Sequence, residues 1–450
     1  MPTYKPTKGE LLELRLARLL FAEGAFVRRS VDLRAEFGTD FTVTDLDVLS
    51  VRFNADLSMH RSIGECKSGV ARSAAKASDR LLWGRGLREL IRADSHIVVT
   101  TRKIDAEVRL LAERLGGEVL DERDLQRRER LLKLDSTVDY GSHDPALLST
   151  VRDYYATLRR DDGLKRAWRF ALSDGWLMEP VAAIKRSLGA SQLLSRHHGQ
   201  DTTDAELRAI EWLLWQSGLV FSVALVQLAG EAYRRPPELF EPWFMERMAG
   251  GRVPTEEMER ISRDVDEYIV ALLAKLGASP AQQVGALGAL APEPPHYAEP
   301  LLEVVRRLAG EPAATAALPR MLDWRIAEYA LGRQLDPAPD HEDASRLLRM
   351  VAAFLRGQAR IPAHLLGPFV APFDDGHNGP AARPDSANMK ANQAARLDVV
   401  PTADTNRETA KAKDKRADGG PRSSATASSE ASALPAAPSL ADRRLFGNTG

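Results

Sequence analysis

Two short apolar segments carry charges on faces where a buried strand has no use for them. Ile63-Gly64-Glu65-Cys66-Lys67-Ser68 reads as a strand, and a strand sends residues i and i+2 to the same side. Glu65 and Lys67 therefore project together, with Gly64 and Cys66 on the other side. Val43-Thr44-Asp45-Leu46-Asp47-Val48-Leu49-Ser50-Val51 also reads as a strand, with β-branched and apolar residues around two acids. By alternation Asp45 and Asp47 share a face with Val43, Leu49 and Val51. Charge among apolar neighbours is costly unless it is paired or bound to metal. Residues 52–61, with Asn54 and Asp56, read as a hairpin connection between the two strands. Pairing them brings Asp47 near Glu65 and Lys67.

A helix over residues 8–23 precedes these strands. Leu12, Leu16, Leu19 and Leu20 form its apolar stripe, Glu13 lies at the stripe's edge, and Gly24 ends it. A strand over 25–31 follows, then a connection over 32–41 that contains Gly38. Arg28, Arg29 and Arg34 read either as flanks for a phosphate backbone or as an ordinary solvated edge. After a loop at 69–73 the pattern predicts a helix over 74–93, with Leu81, Leu82, Leu87, Leu90 and Ile91 as its apolar positions. Its Gly84 and Gly86 are read as sites of close packing. A strand over 95–101 and a helix over 104–115 come next, the helix turning Leu110, Leu111 and Leu115 inward. A short strand over 118–120 leads to Asp121, which can cap a last helix ending near 133. The expectation for 1–135 is an α/β domain with a mixed central sheet flanked by helices.

Residues 136–372 read differently. Amphipathic helical segments over 147–158, 203–234, 255–276, 298–308, 318–331 and 343–354 predict an all-helical domain. Trp212 and Trp215 read as core. Residues 210–229, the most apolar stretch, are interrupted by Glu211, Gln216, Ser217 and Gln227, which points to a buried core helix and no membrane span. His197-His198 reads as loop, with no third ligand nearby for a metal. Residues 373–450 hold few large apolar side chains and are expected to be disordered. A length of 450 residues suits two domains with extras. The formal net charge of −1 excludes a global basic field, so any nucleic-acid contact must be local. The basic and aromatic run from Arg152 to Arg196 reads as such a patch or, more simply, as a solvated helix face. Cys66 is the only cysteine, which excludes an intramolecular disulfide and fits a cytoplasmic setting.

The order helix-Glu13, strand-Asp47, hairpin, Glu65-Cys66-Lys67 resembles the restriction-endonuclease-like PD-(D/E)xK nuclease superfamily. Within it the spacing resembles the Mrr-like catalytic domain, over residues 8–132, and Ala93 to Thr101 resembles that family's next core strand. The resemblance implies a divalent-metal-dependent endonuclease that hydrolyses phosphodiester bonds in DNA, in prokaryotic restriction or defence, with RNA left open as a substrate. It implies Glu13, Asp47, Glu65 and Lys67 as catalytic residues and Mg²⁺ as cofactor, with Mn²⁺ as substitute. Asp47, Glu65 and the backbone carbonyl of Cys66 would ligate the metal, and Glu13 would bind a second ion or hold a metal-bound water. Lys67 would orient or deprotonate the attacking water and contact phosphate. The family often has a Gln or Lys early in the helix after this strand. Lys76 is the nearest candidate here, with Asp79 beyond it, and Asp45 is an alternative to Asp47. The helical domain would supply recognition or a protein-partner interface, and cutting both strands would be simplest for a homodimer. The alternative is a non-cleaving nucleic-acid- or protein-binding module with a helical interaction domain.

Overall fold

The first helix, α1 (Lys8–Ala22), opens with a capping box. The Glu10 N–H donates to Thr7 Oγ1, and the Thr7 N–H donates to Glu10 Oε2 at 2.8 Å. The stripe Leu12, Leu16, Leu19 and Leu20 is buried, as its spacing predicts, and Gly24 follows the helix at φ +92°. The computed structural model describes residues 6–35, 41–68, 76–134, 144–198, 203–250, 255–277, 293–333 and 341–370. Gly38, the loop at 69–73 and the 373–450 tail lie outside them.

The next elements are β1 (Phe26–Arg34), β2 (Thr42–Phe53), β3 (Met59–Lys67), α2 (Ala77–Ile91), β4 (Ser95–Thr100), α3 (Ala106–Arg114), β5 (Glu118–Asp121) and α4 (Glu122–Leu131). The five strands form one sheet in the order β1-β2-β3-β4-β5. β1–β2 and β2–β3 are antiparallel, and β3–β4 and β4–β5 are parallel. The sheet is mixed, as expected, and the order of elements matches the sequence reading. β1 is longer than expected and runs to Arg34. Asp121 caps α4, accepting from the N–H groups of Arg123 and Asp124 at 3.0 Å.

Alternation along β4 separates the two faces. Val99 packs with α1 and with Leu125 of α4, whereas Val98 packs with Leu81 of α2 and Ala112 of α3. The buried positions of α2 are Leu81, Gly84, Leu87 and Ile91. Leu82 and Leu90 lie off that stripe and are 58% and 64% exposed, and Leu110 of α3 is 57% exposed. These three expected inward residues face solvent because one helical stripe meets the sheet and neighbours on the helix cannot join it. Gly84 lies where a Cβ would stand 2.8 Å from His96 Cδ2, so close packing explains it. Gly86 has open space, and nothing in the structure explains it.

At Gly64 α1 comes close to the sheet. A Cβ there would lie 2.7 Å from Leu16 Cδ2 and 3.1 Å from Val48 Cβ. Gly64→Ala is therefore expected to lower unfolding free energy by about 1–3 kcal/mol, the usual cost of overpacking a core. Urea denaturation of the two proteins measures it, and an unchanged midpoint would mean the helix shifts freely.

The rest of the described chain is helical: α5 (Pro145–Leu158), α6 (Asp162–Arg169), a π-turn at Phe170–Asp174, α7 (Gly175–Leu177), α8 (Pro180–His198), α9 (Asp204–Arg234), α10 (Pro237–Gly250), α11 (Thr255–Lys275), α12 (Ala298–Ala309), α13 (Pro312–Ala330), α14 (His341–Gln358) and α15 (Gly367–Val370). The helices over 162–198 and 237–250 go beyond the segments legible in the sequence. His197 and His198 end α8 instead of forming a loop, and His198 Nε2 lies 3.2 Å from Glu211 Oε1. α9 is long and apolar enough to cross a membrane, but its most apolar window is 94% buried, the setting of a core helix. Trp212 and Trp215 are core residues, and Trp215 Nε1–H donates to the Leu365 carbonyl.

The described residues from 6 to 370 belong to one compact unit, so the two fold types meet across a shared core. Phe26, Val31, Leu46, Leu49 and Ile63 of the sheet belong to the same hydrophobic cluster as Trp176, Phe221 and Phe369. Arg28 and Arg34 are not at a solvated edge. Arg28 is buried against Asp323 and Gln216 with its guanidinium over Trp176, and Arg34 pairs with buried Asp174 at 2.7 Å.

Candidate active site

The β2–β3 ladder runs from Phe53–Met59 to Val48–Gly64 and records no further pair. At the next position the Asp47 carboxylate takes the backbone hydrogen bond: the Cys66 N–H donates to Asp47 Oδ2 at 2.6 Å. On the other side of β2, the register Arg29–Val48 and Val31–Leu46 places Ser30 opposite Asp47, and Ser30 has φ +52°. Leu46 lies with Gly84 and Leu87 on the α2 side, while Val48 lies against Leu16 on the α1 side. Two-residue alternation thus breaks between Leu46 and Val48, and Asp47 occupies the break. The expectation that Asp45 and Asp47 share a face with Leu49 and Val51 fails for this reason.

Glu65 and Lys67 do project together, as their spacing requires. Lys67 Nζ is 2.7 Å from Glu65 Oε1 and 3.7 Å from Asp47 Oδ2. Asp47 and Glu65 are 8% and 7% exposed, and the Lys67 side chain is 39% exposed. The structure therefore brings Asp47, Glu65 and Lys67 to one place. Glu13 stands at its edge on α1, near enough for the Asp47 charge to act on it, with Arg29 Nη1 3.8 Å from its Oε2. Asp45 is exposed and makes no ion pair with Lys67, though its charge acts on Glu13 and Asp47.

Two partners escape a sequence reading. Arg80, in the first turn of α2, places Nη1 3.3 Å from Glu65 Oε1. The family resemblance pointed at Lys76, with Asp79 beyond it, and neither is paired with Glu65 among the described residues. Arg29 partners Glu13 across the α1–β1 contact. Nothing local distinguishes either arginine from its charged neighbours.

The cluster is electrostatically strained toward protonation. Burial, above all, raises the pKa of Glu13, and Asp47's charge adds to it. Burial also raises Asp47, against the Cys66 N–H and Lys67, which favour its charged form. Glu65 is raised by burial and by Asp47, against Lys67 and Arg80. For Lys67, burial works to lower the pKa, but the hydrogen bond to Glu65 and the charge of Asp47 outweigh it and hold the ammonium above the ordinary lysine value. Burial pushes the Cys66 thiol well above its usual range, so its side chain is inert and only its backbone can serve the site.

Among the described residues no three His, Cys, Asp or Glu side chains gather into a metal cluster. The available donors are the two carboxylates of Asp47 and Glu65, with the Cys66 carbonyl next to Glu65 in sequence and Glu13 alongside. An all-oxygen set with few protein ligands suits a hard divalent ion that retains water, as Mg²⁺ does. The charge of Asp47 raises the pKa of both Glu13 and Glu65, which a dication would reverse, so the oxygen donors present fit that group. No family model, curated protein or solved structure matches this chain.

Proposed function

We propose that this chain is a divalent-metal-dependent endonuclease that hydrolyses phosphodiester bonds in DNA, at the site formed by Asp47, Glu65 and Lys67 with Glu13 at its edge. The observation that carries the reading is the convergence of two buried carboxylates and a partly exposed ammonium, from two strands, at the point where their ladder ends. The PD-(D/E)xK, Mrr-like resemblance of residues 8–132 supplies the reaction class, the restriction-endonuclease-like fold and the defence setting.

Mg²⁺ held by Asp47, Glu65 and the Cys66 carbonyl would supply a water of lowered pKa and neutralise charge on the scissile phosphate. The chain's own groups do the rest. The Cys66 N–H fixes the direction of the Asp47 carboxylate. Arg80 fixes Glu65, and Arg29 restrains Glu13. Lys67 is charged at neutral pH, which suits it to hold a phosphate oxygen and orient the attacking water rather than take its proton. Its partial exposure leaves it within reach of a strand from outside.

The test is cleavage of circular DNA, linear DNA and RNA by the full chain with Mg²⁺, Mn²⁺ or EDTA. Metal-dependent cutting of DNA is expected. Cutting of RNA alone would change the substrate. No cutting together with no Mn²⁺ binding would leave the binding-module alternative.

Metal affinity should also depend on pH in a defined direction. Protons compete for Glu13, Asp47 and Glu65 at pH values above the ordinary carboxylate range, because burial raises all three. Mn²⁺ binding is expected to weaken as pH falls, starting at higher pH than it would for unshifted carboxylates. In metal-free protein the folded state holds these protons more tightly than the unfolded state, so stability falls as pH rises through the raised values. The rise in melting temperature caused by Mn²⁺ should therefore be larger at pH 7.5 than at pH 5, and an equal rise at both would sink this account.

A further inference from the structure

Beside the carboxylates, on the side away from α1, lies a cavity of about 250 Å³ that the mechanism above leaves unused. Lys67 lines it, together with Lys76, Arg102, Lys103, Thr100 and Asp105. It opens at the carboxyl ends of the parallel strands β3 and β4, where Lys67 and Thr100 are register partners. Ligands of parallel sheets bind at that end, outside the strand termini.

The charge of the lining is one-sided. Lys76, Arg102 and Lys103, from the start of α2 and the β4–α3 connection, stand beside Lys67, whose ammonium is held by Glu65, and the lining holds one carboxylate, Asp105. Lys76 and Lys103 make no ion pair with a described residue, and both are exposed. Like charges gathered here repel one another, and an anion among them would relieve that repulsion. The starts of α2 and α3 flank the same cavity, and neither N-cap residue, Lys76 or Asp105, makes a side-chain capping bond. The dipoles of both helices add to the positive field. At about 30 Å³ per water the cavity holds roughly eight waters, room for a phosphate group with part of its sugar. Its polar lining and open mouth are unsuited to an apolar ligand.

The geometry points to a second phosphate seat, in which Lys76, Arg102 and Lys103 bind the phosphate next to the scissile one. This rests on the nucleic-acid reading of the carboxylate site. Lys67 lines both places, so a strand that meets Lys67 with one phosphate passes its neighbour into the cavity. The substrate class narrows accordingly. The chain grips polynucleotides by their backbone on the β4–α3 side, and an isolated phosphodiester lacks half of the contact. Phosphate contacts of this kind position a strand without reading its bases.

The test uses the full chain in EDTA, where no cutting occurs, with a fluorescent DNA oligonucleotide and inorganic phosphate as probes. It compares wild type with Lys103→Gln and with the double variant Arg102→Gln/Lys103→Gln. These side chains are exposed, so folding is retained, and Mn²⁺ affinity provides the check that the carboxylate site is intact. The double variant is expected to bind DNA about 10- to 100-fold more weakly. The dependence of log affinity on log salt concentration should become shallower by about 1 to 2 in slope. Inorganic phosphate should compete with DNA in wild type and lose that effect in the double variant. Wild-type affinity and slope in both variants would overturn the seat, and so would a wild type that binds neither probe. A wild type that binds phosphate through these residues but no DNA would uphold the seat and remove the nucleic-acid reading.

Discussion

Asp47→Asn is expected to lower metal-dependent DNA cleavage by a factor of about 10²–10³ or more, the scale on which loss of one preorganised charge at a reacting centre acts. Asp45→Asn should leave it within a few-fold. The two acids are two residues apart on one strand, and the structure treats them differently. Asp47 is buried, holds the Cys66 N–H and lies 3.7 Å from Lys67, whereas Asp45 is exposed. An Asn at 47 still has a carbonyl oxygen to accept the Cys66 N–H, so the variant should fold. In EDTA it should be at least as stable as wild type, because a carboxylate held charged against its burial has been removed. Lys67→Ala should lose cleavage on a similar scale while keeping Mn²⁺ affinity. A structural ion pair would show the opposite pattern, with lost stability and unchanged chemistry. Full activity in Asp47→Asn would remove the proposed site, and a loss in Asp45→Asn alone would move the ligand by two residues.

Asp323→Ala is expected to cost about 3–5 kcal/mol of unfolding free energy, as when one partner is removed from a buried ion pair. Asp323 is 1% exposed, and its Oδ1 lies 3.4 Å from Arg28 Nη1. Burial lowers the pKa of Arg28, and Asp323 is the charge that offsets this. Without it the guanidinium stays buried against the neutral Gln216 amide and the rings of Phe26 and Trp176. The double variant Arg28→Met/Asp323→Leu should recover most of the loss, since a well-packed apolar pair often replaces a buried ionic one without penalty. Urea denaturation of the single and double variants measures this. A single-variant cost below about 1 kcal/mol would put the pair in the class of weak surface bridges. The result bears on the site as well. Arg28 and Arg29 are neighbours on β1 and point to opposite faces. Arg28 contacts Asp323 of the helical region and Arg29 lies beside Glu13, so the two contacts sit on neighbouring positions of one strand.

Much of the α/β half was legible because its signals are local. The period of 3.6 in Leu12, Leu16, Leu19 and Leu20 requires one buried stripe, and α1 has it. The period of 2 in Glu65 and Lys67 requires one shared face, and their contact at 2.7 Å follows. Asp121 caps α4 because a short acid before a helix can reach its free N–H groups. The same local rules misplaced Leu82, Leu90 and Leu110, since leucine at a helix surface carries no mark of which stripe the sheet will choose.

What the amino-acid order determined by itself is therefore the series of elements in the α/β half, the pairing of Glu65 with Lys67 and the burial of the long apolar helix α9. Tertiary structure alone buried Asp47 and left Asp45 exposed, gave Glu65 its second partner in Arg80, and joined Arg28 to Asp323. The reason is the range of the interactions. Periodicity acts between residues a few positions apart. The break in alternation at Asp47 arises where two neighbouring strands, one with Ser30 at positive φ, meet a backbone N–H from Cys66. No stretch of chain contains that meeting until the sheet has formed.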